Sequence, residues 1–184
     1  MTPLLVAIGI ILLDQATKEW VRGTFSLLET HPVIPGLFNL TYIRNTGAAW
    51  GMFSGQNLAL AALALAMLIA LVLFRRQLLP PGRIHRIALG LLCGGIAGNL
   101  FDRLRLDYVT DFLDFHWRGA HFPAFNVADA AICCGVGIYL ITSILTHPPR
   151  PRPREPRRPT NPPPCLLDWG KPIFFSDKAN TRHI

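Results

Sequence analysis

The residues whose types can do chemistry are few: Asp14, Asn45, Asn99, Asp102, Arg103, Asp111, Asp114, Asn126 and Asp129. Asn126 and Asp129 stand three apart, as do Asn99 and Asp102, so on helices each pair shares a face and presents an amide beside a carboxylate. Two aspartates brought close share a proton, because like charges a few ångströms apart cannot both ionise. One then acts as a general base that activates water, and the other as a general acid toward a carbonyl or a leaving amine. That chemistry needs no metal, no cofactor and no nucleophilic Ser or Cys, and none is expected. His116 and His121 with Asp114 fit no metal-ligand spacing, and their aromatic neighbours read as an interfacial belt. Phe53-Ser54-Gly55 lacks a serine-hydrolase pattern, and no phosphate loop or dinucleotide fingerprint occurs.

The elements that must hold these groups follow from hydropathy. Of 184 residues, 51% are hydrophobic and 16% charged, with mean hydropathy +0.33. A soluble domain carries nearer a quarter charged residues, so the composition points to a membrane. Four segments approach the roughly 20 apolar residues of a spanning helix: about 3–21, 57–74, 84–101 and 125–146. The first is read as retained, because it has no basic n-region or small-residue cleavage site and continues into the charged turn Asp14-Gln-Ala-Thr-Lys18.

The net charge of +7 divides unevenly. Residues 1–146 hold 10 Lys and Arg against 8 Asp and Glu, whereas 147–184 hold 8 against 3 and 10 of the 16 prolines. The basicity therefore belongs to a tail and is no nucleic-acid signature. Connection 75–86 has four Arg and the start of the tail, 150–158, has five; connections 22–56 and 102–123 have two and three. The cationic-loop rule then places both termini in the cytoplasm, with Lys18 and Arg22 as an opposing but smaller signal. Cys93, Cys133, Cys134 and Cys165 show no CxxC spacing and no disulfide framework.

The expected fold is thus membrane all-α: four transmembrane helices, a small extracytoplasmic β-sheet region over about 24–56 with turns at Pro32, Pro35-Gly36 and Asn45-Thr-Gly47, and a disordered Pro/Arg-rich cytoplasmic tail over 147–184. In this topology Asp14, Asn99, Asp102, Arg103, Asn126 and Asp129 all fall at outer helix ends, and Asn45, Asp111 and Asp114 in the outer connections. Charges within a bilayer are costly, so their collection in one layer marks a functional site. Plainer roles compete for some of the carboxylates and amides: Asn126 as an N-cap, Asp14 as a cap or anchor of the first helix, Asp102 and Arg103 as an ion pair, Asp107 and Asp114 as solvated loop carboxylates. For Asp129, a carboxylate inside a span, the plain reading fails.

At these residues the sequence closely resembles the signal peptidase II family. The resemblance rests on Asp14-Gln-Ala-Thr-Lys18, Asn45-Thr-Gly-Ala-Ala-Trp-Gly51, Gly95-Ile-Ala-Gly-Asn-Leu-Phe-Asp-Arg103, Val109-Thr-Asp-Phe112 and Phe125-Asn-Val-Ala-Asp129, in the family's order across residues 1 to about 146. It implies a monomeric aspartic endopeptidase of the bacterial inner membrane, with its site near the periplasmic face. The enzyme would cut prolipoproteins just before a cysteine that carries diacylglyceryl, and globomycin-like peptides would inhibit it. The resemblance assigns catalysis to Asp111 and Asp129, substrate contact or site lining to Asn45, Asn99, Arg103 and Asn126, and support to Asp14 and Asp102. Residues 147–184 depart from the family pattern. A rival class, a small proton-coupled transporter or scaffold, would spread ionisable groups through the membrane's depth, but 57–74 and 87–101 are uncharged.

Overall fold

The computed structural model describes residues 2–78 and 82–146. The tail and Cys165 lie outside the described residues. In chain order the elements are α1 (Thr2–Thr24), β1 (Thr30–Ile34), β2 (Phe38–Asn45), a 3₁₀ turn (Ala49–Gly51), α2 (Asn57–Leu73), α3 (Arg75–Leu78), α4 (Arg83–Leu106), β3 (Val109–Trp117), β4 (Ala120–His121) and α5 (Val127–Thr146).

Helix α4 is the hub, packed against α1, α5 and α2. Its sequence explains the close approach. Gly90, Gly94 and Gly98 recur every fourth residue and form one stripe toward α1, where added methyl groups would meet the Val6 Cβ at 2.6 Å, the Ala7 carbonyl at 2.8 Å and the Asp14 carboxylate at 2.6 Å. Gly95 faces α5, and a Cβ there would collide with the Ala128 carbonyl. Small residues let helix backbones meet where apolar burial gives little drive, as in lipid. Gly95→Ala is expected to lower the unfolding midpoint in detergent by about 5 °C or more, since backbone cannot yield as a side-chain tip can.

The outward faces are apolar. Leu58 and Leu73 on α2 are 81% and 66% exposed, and Ile144 and Leu145 on α5 are 74% and 76% exposed. Helices α4 and α5 are long and apolar enough to cross a membrane, whereas α2, similarly apolar, has 17 residues. Helix α1 has 23 residues, but Asp14, Lys18, Glu19 and Arg22 crowd its C-terminal half.

The expected sheet region is larger than 24–56. Four antiparallel strands run in the order β1-β2-β3-β4, with β1 pairing as Thr30 to Thr41 and β3 pairing with β2 as Phe38 to Phe115 and Asn45 to Val109. The connection 102–123, expected as a loop, supplies the strand that carries Asp111. Thr41 and Tyr42 stand opposite Phe112 alone, a bulge that bends the ribbon. Val21 of α1, Tyr42 of β2 and Phe112 of β3 form a buried cluster that fixes the sheet to the helix ends.

A second correction concerns α4, which runs to Leu106 rather than 101, so Asp102 and Arg103 lie within the helix. It ends on Asp107, whose left-handed conformation (φ 64°) is one that Asp tolerates better than most residues.

Candidate active site

Asp111 on β3 and Asp129 in the first turn of α5 line one cavity of about 940 Å³. Three asparagines hold them. Asn126 Nδ2 donates to Asp111 Oδ1 at 2.7 Å, and Asn45 Nδ2 donates to Asp111 Oδ2 at 2.9 Å. Asn99 Nδ2 donates to Asp129 Oδ1 at 2.7 Å, and the backbone N–H of Asn126 reaches Asp129 Oδ2 at 3.3 Å.

Each asparagine has one possible amide orientation, because a donor holds its oxygen. The Asp129 backbone N–H donates to Asn126 Oδ1 at 3.0 Å, which completes a capping box at the start of α5. The Gly47 backbone N–H donates to Asn45 Oδ1 at 2.9 Å. That turn needs glycine, since a Cβ on Gly47 would lie 2.6 Å from the Met52 carbonyl. Lys18 Nζ, which has no acceptor to offer, donates to Asn99 Oδ1 at 2.9 Å. Asn126 is therefore both the N-cap read from sequence and a partner of Asp111.

Burial pushes Asp111, 2% exposed, up to about 7, and the charge of Asp129 acts in the same direction against the bonds from Asn45 and Asn126. A carboxyl group near that value exchanges protons readily at neutral pH.

Beneath the pair lies a group that sequence reasoning largely missed. Lys18 is completely buried and donates to Asp14 at 2.9 Å, Asp102 at 3.2 Å and Asn99 at 2.9 Å, which satisfies all three ammonium donors. Asp14 caps a helix, but α5 rather than its own: its Oδ1 accepts the Ala128 backbone N–H at 2.9 Å. Asp102 accepts the Thr110 backbone N–H at 3.1 Å, one residue before Asp111. Gln15 spans the two carboxylates with contacts of 3.1 Å to each. Arg22 donates to Thr110 Oγ1 at 2.7 Å and lies 3.8 Å from Asp102. Asp14 and Lys18 are an i,i+4 pair, a signal visible in the sequence; the second counter-ion of Lys18, Asp102, was not.

Asp102 and Arg103 make no ion pair with each other among the described residues, contrary to expectation. Consecutive helix positions point roughly 100° apart, so Asp102 turns to Lys18. Arg103 turns to the cavity, where it donates to the Gly47 carbonyl at 3.0 Å and the Asn99 carbonyl at 3.5 Å. Asp114 is likewise no solvated loop group: it is 7% exposed and accepts from Asn39 at 3.0 Å and His121 Nδ1 at 2.9 Å. Burial alone would raise its pKa, but the bonds from His121 and Asn39 hold it below the usual carboxylate range. Among the described residues, no group of three or more His, Cys, Asp or Glu is arranged to hold a metal ion.

A carboxylate on β3 and a second in the first turn of α5, each held by amide donors at one cavity in a chain whose helices have apolar exteriors, fit an aspartic peptidase of the membrane type. The family model for signal peptidase (SPase) II matches residues 6–145, and the chain belongs to that family. It is 43% identical over 141 residues to a lipoprotein signal peptidase of Syntrophotalea carbinolica, covering 75% of this chain and 88% of that one. It is 42% identical over 137 residues to one of Geobacter metallireducens, covering 73% and 85%. Its fold matches a bacterial membrane enzyme solved by the in meso method at 2.3 Å resolution, with TM-score 0.73 and 35% identity, over 78% of this chain and 88% of the other. A second such enzyme, solved at 1.9 Å, matches with TM-score 0.68 and 33% identity over 79% and 94%. The transporter or scaffold reading is not favoured.

Proposed function

We propose that this chain cleaves the signal peptide from diacylglyceryl-modified prolipoproteins just before the lipidated cysteine, with Asp111 and Asp129 as the catalytic pair. The observation that carries the reading is the arrangement of four carboxylate oxygens, each accepting an amide N–H, at one cavity. The ionised carboxylate takes a proton from water as the water oxygen attacks the scissile carbonyl carbon. The protonated one gives its proton to the carbonyl oxygen. Collapse of the tetrahedral intermediate breaks the C–N bond: the proton gained from water passes to the leaving cysteine nitrogen, and one hydroxyl of the intermediate returns its proton to the other carboxylate as the new carbonyl forms, which restores the pair. Arg103 and the asparagines hold substrate backbone and the orientation of the pair; Asp14 and Asp102 support it from below.

Residues 1–146 form the peptidase domain, with four spans in the inner membrane of a bacterium, both termini cytoplasmic and the site near the periplasmic face. The enzyme is monomeric, and globomycin-like peptides compete for its cavity. Two features support the placement. The arginines at 75, 76, 83 and 86 lie at the opposite helix ends from the site. The cavity combines polar groups with Ile132 and Cys133 of α5, so acyl chains can remain in lipid while the peptide is held above.

Purified protein is expected to cut a diacylglyceryl-modified prolipoprotein at the cysteine, to leave the unmodified precursor intact, and to lose cleavage in Asp129→Asn. Equal cleavage of both precursors would remove the lipid from the reading, and normal turnover by the variant would remove the pair.

A further inference from the structure

The cavity has a second polar pole that the dyad does not use. Asp114 follows Asp111 by three residues on β3, roughly 10 Å along an extended strand. Both carboxylates line the same cavity, as does His121 on β4. Asp114 Oδ2 accepts from Asn39 at 3.0 Å, and Asp114 Oδ1 lies 2.9 Å from His121 Nδ1. His116 stacks on the His121 ring with centroids 4.9 Å apart and planes at 19°, which fixes the ring's plane.

An ionised carboxylate only accepts, so the bond at Nδ1 places the imidazole proton there. With its one proton on Nδ1, an imidazole carries its lone pair on Nε2, which has no partner among the described residues, on a side chain 55% exposed. The same cavity has an aromatic part of its lining, where Phe122 meets Phe125 edge to face at 5.9 Å and Trp50 at 6.0 Å. An oriented acceptor in an apolar wall suits a backbone N–H of an extended peptide, and it repels a carboxylate.

We infer that His121, held by Asp114, is a substrate-binding residue whose Nε2 accepts a backbone N–H of the precursor peptide about three residues from the scissile bond. The inference rests on the peptidase reading above. It makes His121 a contributor to ground-state binding: the bond forms away from the reacting atoms and is equally present before and during the chemical step, so its loss raises KM and spares kcat.

The test uses the full-length protein, a diacylglyceryl-modified peptide substrate and a series of the same peptide N-methylated at one backbone amide at a time. His121→Phe keeps a ring against His116 and removes the acceptor; it is expected to raise KM about 5-fold with kcat within twofold of wild type. His121→Gln, which offers an oxygen acceptor, is expected to recover part of that loss. One N-methyl position, about three residues from the cut, should raise the wild-type KM and add nothing further in His121→Phe. Unchanged KM in His121→Phe, a fall in kcat at constant KM, or additive N-methyl effects at every position would overturn the inference while the wild type still cleaves. Absence of cleavage by the wild type would instead overturn the peptidase reading and this inference with it.

Discussion

Asp111→Asn is expected to lower kcat by about 10³-fold or more while raising thermal stability above neutral pH. The loss follows from the chemistry: an amide neither takes a proton from water nor gives one to a carbonyl, and general acid–base steps contribute about 10²–10⁴-fold each. The gain follows from linkage. Burial and the neighbouring Asp129 charge hold Asp111 up to about 7 in the fold, whereas an unfolded chain exposes an ordinary carboxyl of about 3.9. Between those values the native state binds more protons than the unfolded one, so stability falls as pH rises from about 4 to about 7 and stays reduced above it. Asparagine escapes that cost, although its Nδ2 cannot accept the N–H of Asn45 or Asn126 that a carboxyl oxygen accepts. Its unfolding midpoint in detergent should exceed that of wild type by a few degrees at pH 8 and fall below it near pH 4, where the wild-type carboxyl is uncharged and keeps both bonds. The wild-type kcat/KM should decline as pH rises through about 7, where Asp111 loses its proton. A variant equally inactive but less stable at pH 8 would show that Asp111 is held ionised, which would reverse the roles of acid and base.

What was legible in the sequence was local. The i,i+3 pairs of α4 and α5, the N-cap at Asn126 and the apolar helices each rest on spacing within a few residues, and the structure keeps them. Strand β3 was not legible, because its residues are buried on both faces from Val109 to Phe112 and so lack the alternation that marks a half-exposed strand. Asp114 and His121 read as surface groups because their partners, Asn39 and each other, meet only when β2, β3 and β4 align. Arg103 was assigned to the wrong neighbour because adjacency along a helix is not adjacency in space. Lys18 was the largest loss. In the sequence Lys18 counts only as a charge opposing the cationic-loop signal, and nothing nearby except Asp14 reveals that Asn99 and Asp102, more than 80 residues later, surround it.

Lys18→Met carries the second large expected effect, and it separates stability from chemistry. Removing the ammonium leaves Asp14 and Asp102 buried with no cation between them; Arg22, 3.8 Å from Asp102, remains on one side only. Breaking a buried ion pair by removing one partner costs about 3–5 kcal/mol, so the unfolding midpoint should fall by roughly 10 °C. The triple variant Lys18→Met, Asp14→Asn, Asp102→Asn removes the charges together. Neutral Asn can still accept the Ala128 and Thr110 backbone N–H groups that Asp14 and Asp102 now accept, so most of the lost stability should return. Turnover should not. Without Nζ, nothing holds the Asn99 oxygen away from Asp129, and a flipped amide would set oxygen against carboxylate where an N–H now donates at 2.7 Å. A triple variant that regained both stability and near-normal kcat would reduce Lys18 to a structural counter-charge. One that regained stability alone would identify the ammonium as the group that keeps Asn99 a donor, and thereby sets the hydrogen-bonded state in which Asp129 meets water.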